Sequence, residues 1–128
     1  MQVKEAYIYD NACHQMLQIS GVRFAGIINK HGRKVAGGFT PKITPLEKDT
    51  KKIEMLMMEL ALDLSMRKEF DNSLGGIRAI VSYRKNVNVI TVPHGENFML
   101  LSTEPESDIQ EIIHIAHQYL SPIEVLAH

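Results

Sequence analysis

Apolar residues recur at helical spacing from Ile53 onward. Ile53, Leu56, Met57, Leu60, Ala61 and Leu64 fall at i, i+3, i+4, i+7, i+8 and i+11, which is one side of a helix. A second set, Met55, Met58, Leu62 and Met66, is interleaved with the first. At about 100° per residue the two sets lie on nearly opposite sides. Lys52, Glu59 and Asp63 separate them on one flank, and Glu54 and Ser65 on the other. Thr44-Pro45-Leu46-Glu47 supplies a capping hydroxyl, a proline at the first helical position and a glutamate able to reach back. Arg67 and Lys68 place cations at the far end, before Asn72, Gly75 and Gly76. The pattern predicts one helix over 44–70. A helix that only covers its own sheet needs a single apolar stripe. The second stripe therefore predicts a dimer interface at Met55, Met58, Leu62 and Met66.

The same reading places a helix over 5–19, with Tyr9, Cys13, Met16 and Leu17 at helical spacing, ended by Gly21. Val22–Asn29 and Lys34–Phe39 read as strands joined by the turn Lys30-His31-Gly32-Arg33. Gly37 and Gly38 inside the second strand predict a bulge or a close backbone approach, with packing against a helix as the favoured reason. Ile77–Arg84 alternates, with Ile77, Ala79, Val81 and Tyr83 on one side. Val87–Val92 follows, ended by Pro93-His94-Gly95-Glu96, and Phe98–Ser102 is apolar enough for a strand covered on both faces. Ser107 and Gln110 form a capping box before a last helix with the stripe Ile109, Ile112, Ile113, Ala116 and Leu120. Ser121-Pro122 stops it, leaving the short apolar tail Ile123-Glu124-Val125-Leu126. The expected fold is α+β: a five-stranded antiparallel sheet, the long helix on one face and the N- and C-terminal helices on the other.

The chain's 128 residues suit one domain with its core at about 5–120. One cysteine rules out an internal disulfide, and the absence of a long apolar run predicts a soluble, cytoplasmic protein without a membrane partner. Net charge is −1, yet no Lys or Arg follows Lys85. Up to that point 14 basic and 9 acidic side chains give +5, and the remainder carries −6. Glu104, Glu106, Asp108 and Glu111 cluster where they complement a helix dipole. Opposed charged surfaces can also guide docking.

The order helix, two strands, long helix, three strands, helix, with the hairpin FAGIINKHGRKVAGGF leading into a Met-rich helix, resembles the roadblock (dynein light-chain) domain. Together with MELALDLSMRKEFDNSLG, that hairpin is similar to an uncharacterised archaeal family of single-domain roadblock-like proteins. The resemblance implies the roadblock/profilin-like sheet described above. It also implies pairing through the long helix and the strand after it, and a scaffold role, in several members for small Ras-like GTPases.

Catalytic signals are sparse. Cys13 and His14 are adjacent, and adjacent helical residues diverge by about 100°, so they do not form a nucleophile–base pair. His114 and His117 stand at i, i+3, but no H-E-x-x-H or C-x-x-C accompanies them. GGFTPKIT lacks the glycine before the lysine that a phosphate loop needs, and no serine has G-x-S-x-G context. No catalytic, cofactor or metal residues are assigned. A net charge of −1 and the absence of Trp argue against a nucleic-acid partner. Lys30, Arg33 and Lys34 at the hairpin tip, joined by Arg67 and Lys68, form the candidate partner-binding surface, and Arg67, Lys68, Arg78, Arg84 and Lys85 suggest a second basic patch.

The sequence thus reads as a non-enzymatic homodimeric scaffold, with a Ras-like GTPase as the partner the resemblance implies. The alternative is a PAS-like sensor binding a small molecule. Against it, such chains carry several short helices where this one has a single helix of about 26 residues, about 39 Å long.

Overall fold

The computed structural model describes residues 3–41 and 43–123. The elements are α1 (Val3–Leu17), β1 (Val22–Ile28), β2 (Lys34–Phe39), α2 (Thr50–Arg67), α3 (Asp71–Leu74), β3 (Ile80–Tyr83), β4 (Asn88–His94), β5 (Asn97–Thr103) and α4 (Ile109–Leu120). The strands form one antiparallel sheet in the order β2-β1-β5-β4-β3. Three hairpins account for the neighbouring pairs β1–β2, β3–β4 and β4–β5. The remaining connection runs from one edge of the sheet to the other and carries α2.

Alternation along β5 divides the core. Met99 and Leu101 point to one face and join Tyr9, Cys13 and Met16 of α1 with Ile112, Ala116 and Leu120 of α4. Phe98 and Leu100 point to the other, where they meet Ala61 and Leu64 of α2 beside Phe24 and Ile28. The central strand is buried on both faces, as its apolar run predicts. One face of the sheet carries the terminal helices and the other the long helix.

The long helix starts later than the sequence suggests. Its N-cap is Asp49, whose carboxylate accepts from the Lys51 N–H at 2.9 Å, and α2 spans 18 residues, about 27 Å. Thr44 does not cap it. The Thr44 carbonyl, which a helix begun there would use internally, accepts from Arg23 Nη2 at 3.0 Å. Glu47 Oε2 accepts from the Asp49 N–H at 3.2 Å, a local turn that competes with helix. Beyond Arg67 the chain continues through a 3-10 turn (Lys68–Phe70) and α3, so Asn72 lies within helix and Gly75, at φ 85°, ends it.

Three further boundaries shift. β3 begins at Ile80, because pairing stops at Ile80↔Thr91 and a longer ladder would bring Arg78 opposite Pro93, which has no N–H. Ile77 accordingly packs with Ile80 on the α2 face, while Ala79 and Val81 pack on the other. β4 itself continues through Pro93 to His94, since β3 ends short of Pro93 and leaves it in an edge-like position. The last helix is capped by Asp108, whose carboxylate accepts from the Glu111 N–H at 3.2 Å, one residue past the predicted Ser107. Of the apolar tail, Glu124, Val125 and Leu126 lie outside the described residues.

Candidate functional site

The outer stripe of α2 is exposed in the chain on its own. Met55 is 58 % exposed, Met58 59 %, Leu62 63 % and Met66 60 %, whereas Ala61 and Leu64 on the inner side are buried. Leu56, assigned from its spacing to the inner stripe, sits on the flank and is half exposed. Past the helix Phe70 and Leu74 are exposed as well, and so, at the far end of the edge strand β3, is Tyr83. Met58 borders the β1–β2 hairpin: a Cβ on Gly32 would lie 2.7 Å from its Cα. The tip of that hairpin is therefore seated on α2, and glycine is required there twice, by this contact and by a φ of 77°.

The predicted basic set lies around the same end of the sheet, and most of it is engaged within the chain. Lys30 Nζ pairs with Glu96 at 3.6 Å. Lys34 Nζ donates to the Gly37 carbonyl at 2.8 Å, and Lys68 Nζ donates to the Gly95 carbonyl at 2.8 Å. Arg67 Nε bonds both Asp63 oxygens, at 3.0 and 3.1 Å. Arg33 has no ion pair among the described residues. Arg84 and Lys85, grouped with Arg67 and Lys68 by sequence, lie at the opposite end of the sheet: the β3–β4 turn closes beside Asn88↔Thr103, while Lys68 reaches the β4–β5 turn.

That opposite end holds a feature the spacing did not reveal. Between the first turns of α2 and the sheet opens a pocket of about 150 Å³. Its walls are almost wholly apolar, from Phe24 and Phe39 to Ile53, Leu56, Val89 and Leu100, with Leu46 at the mouth. Arg23 borders it, its side chain only 12 % exposed and its Nη1 2.7 Å from Glu104 Oε1. The only advance signal was an arginine in an otherwise apolar strand. At this size the pocket is below the ~300 Å³ at which sites for drug-sized ligands begin.

The candidate nucleophile is buried. Cys13 lies in the α1–sheet core, where burial pushes its thiol up to about 12, and His14 beside it faces solvent. His94 is built into a polar bridge: its Nε2 lies 3.1 Å from the Ile123 carbonyl and its Nδ1 2.6 Å from the Tyr9 hydroxyl. A carbonyl only accepts, so Nε2 carries the proton and Nδ1 receives the Tyr9 O–H. Burial holds its pKa below the ordinary 6.5 and raises that of Tyr9. His114 and His117 do not converge on a third ligand. His117 Nε2 is 3.0 Å from the Arg78 carbonyl, and His114 lies beside Gln118. Among the described residues no group of three or more His, Cys, Asp or Glu side chains is placed to hold a metal ion. Nor is any described helix long and apolar enough to cross a membrane.

A family model described as "Family of unknown function (DUF6659)" matches residues 1–121. The chain belongs to this family. No curated protein matches the sequence. Solved structures share the fold of this family member across most of its length. The Roadblock/LC7 domain from Streptomyces avermitilis superposes at a TM-score of 0.69 with 10% identity, covering 89% of this chain and 92% of that one. The gliding protein MglB from Thermus thermophilus gives 0.75 with 14% identity over 96% and 93%. An MglB in a tetrameric arrangement gives 0.78 with 10% identity over 96% and 90%. At such identities the likeness is one of fold, and the fold is that of roadblock proteins, as the hairpin and long helix suggested.

Proposed function

We propose that the chain is a non-enzymatic cytoplasmic scaffold that pairs with a second copy of itself and carries a small Ras-like GTPase. On this reading it stands close to the archaeal single-domain roadblock-like proteins. One observation carries the pairing: Met55, Met58, Leu62 and Met66 form a stripe along the outer side of α2. Each such side chain gains about 1.5–3 kcal/mol on full burial. The resemblance to roadblock domains, which pair through this helix and the following strand, supports the same surface. The GTPase rests on that resemblance alone, as does the partner role of Lys30, Arg33, Lys34, Arg67 and Lys68. The lack of catalytic function is supported by an inert, buried Cys13 and by a His94 whose two nitrogens are both occupied.

Light scattering after gel filtration tests the pairing, with a dimer expected at micromolar concentration. Leu62→Glu should yield a folded monomer, since each copy would otherwise bury an unpaired carboxylate. A wild-type monomer, or a Leu62→Glu dimer of unchanged affinity, would overturn this surface. Capture of tagged protein from its native cells, with and without added GTP, tests the partner. Recovery of no GTPase would remove that part of the reading.

A further inference from the structure

We propose that the end of the sheet where α2 begins docks an acidic segment of a partner protein, one large apolar side chain of which fills the pocket between α2 and the sheet. This surface is distinct from the α2 stripe and does not depend on whether the chain pairs.

The pocket fixes the size and polarity of its occupant. About 150 Å³ in an open pocket lined by Phe24, Phe39, Leu56, Val89 and Leu100 suits one aromatic ring or branched aliphatic side chain. An apolar cavity of about this volume takes up benzene. Leu46 and Phe39 stand partly exposed at the mouth, as they would if an apolar group were to cover them.

The charges beside the pocket fix the sign of the occupant's flanks. Lys48 follows the lining residues Leu46 and Glu47, Lys51 and Lys52 precede Ile53, and Arg84 and Lys85 precede Val87. All of these cations are exposed, and none has an ion-pair partner among the described residues. Most of the nearby acids are already committed, Glu54 being the exception among the described residues. Glu104 pairs with Arg23, Asp49 caps α2, and Glu47 accepts from the Asp49 N–H. At the other end of the sheet Lys30, Lys34, Arg67 and Lys68 are held by internal partners, which leaves Arg33 as the one cation of that set without one among the described residues. Unpaired positive charge is thus concentrated around the apolar pocket, and an acidic segment complements it. A concave apolar pocket favours a side-chain anchor over the flat stacking surface that single-stranded nucleic acid uses.

The test is fluorescence anisotropy with a short fluorescein-labelled peptide of Glu and Ser around one central Phe. Two further probes replace the Phe by Ser or every Glu by Gln. The parent peptide should bind, and each change should weaken it about tenfold or more, a change of about 1.4 kcal/mol. Lys51→Glu combined with Lys85→Glu should cause a similar loss, as should Leu46→Ser, whose site is an exposed loop. Amide shifts in the bound state should centre on Leu46, Leu56, Val87 and Val89. The proposal fails if the Phe→Ser probe binds as well as the parent, if shifts fall on Met55, Leu62 and Met66, or if charge reversal leaves affinity unchanged. Tighter binding to vesicles of anionic lipid, to an RNA oligonucleotide or to benzene with no contribution from acidic flanks would equally overturn it.

Discussion

At one edge of the sheet β2 turns Gly37 outward with both of its backbone groups occupied. Its N–H donates to Asp10 Oδ1 of α1 at 2.7 Å, and its carbonyl accepts from Lys34 Nζ at 2.8 Å. The strand is also kinked there, with Gly37 at φ 86° and an irregular register between Ile27 and Ile28 of its partner. At the other edge, no side chain among the described residues hydrogen-bonds Ile80–Tyr83 of β3, and Tyr83 lies exposed beside them. An unpaired edge is a template for another strand, and natural sheets block it with charges, bulges and twists. Here such devices sit on β2 and not on β3. The difference leaves β3 as the edge open to another strand.

The largest expected effect on this contrast comes from Gly37. A Cβ there would stand 2.1 Å from the Ala25 carbonyl oxygen, with a backbone conformation L residues rarely adopt. Gly37→Ala should cost roughly 3 kcal/mol or more and lower Tm by about 10 °C. Gly38 is the control, because its Cβ would meet nothing nearer than Lys34 Nζ at 3.9 Å. Thermal unfolding that ranks the two substitutions equally would show that the kink in β2 is not what holds this edge.

Gly37 also marks what was legible beforehand. A glycine pair inside a strand pattern announced a close backbone approach, but the reason favoured from sequence was packing against a helix. The clash is instead with β1, and the helix enters through Asp10. Periodicity found the faces of α2 and α4 because a stripe of side chains is a local property. It missed where α2 begins, since Thr44-Pro45-Leu46-Glu47 is a good start whose Thr44 carbonyl is taken by Arg23, 21 residues earlier. The basic set at the hairpin was found by composition, whereas its internal partners Glu96 and the Gly95 carbonyl come from a distant turn. The pocket beside Arg23 is assembled from β1, β2, α2, β4 and β5, so apart from that arginine in an apolar strand it left no local signature.

Asp10 is the second point of attack. Asp10→Ala removes the acceptor for the outward Gly37 N–H and one of two polar anchors of α1 on the sheet. The loss of stability should be modest, roughly 1 kcal/mol. The more informative readout is association, because the β2 edge becomes a free donor. Species larger than the wild-type assembly should appear in light scattering at raised concentration, and Leu62→Glu should not suppress them. If Asp10→Ala is destabilised without such growth, α1 covers the edge sterically and the hydrogen bond is incidental.

The smallest effect concerns the other anchor of α1, one residue earlier. Tyr9 reaches across to β4 and donates to His94 Nδ1, while His94 Nε2 holds the Ile123 carbonyl beyond α4. Protonating Nδ1 would force it to donate, leaving the Tyr9 proton without this acceptor. Burial already depresses the His94 pKa below its ordinary 6.5. The folded state therefore favours the neutral ring. Its contribution is present above pH 6.5 and is lost as the pH falls through the lowered folded value. Urea titrations at about pH 7.5 and about pH 5 should show wild type losing more stability on acidification than His94→Gln, which cannot titrate there. Amide exchange should quicken in α1 over the same interval, and the hydrogen bond that the Gly37 N–H donates to Asp10 should weaken with it. Equal acid sensitivity in the two proteins would place the pH response elsewhere and leave α1 held by its apolar face alone.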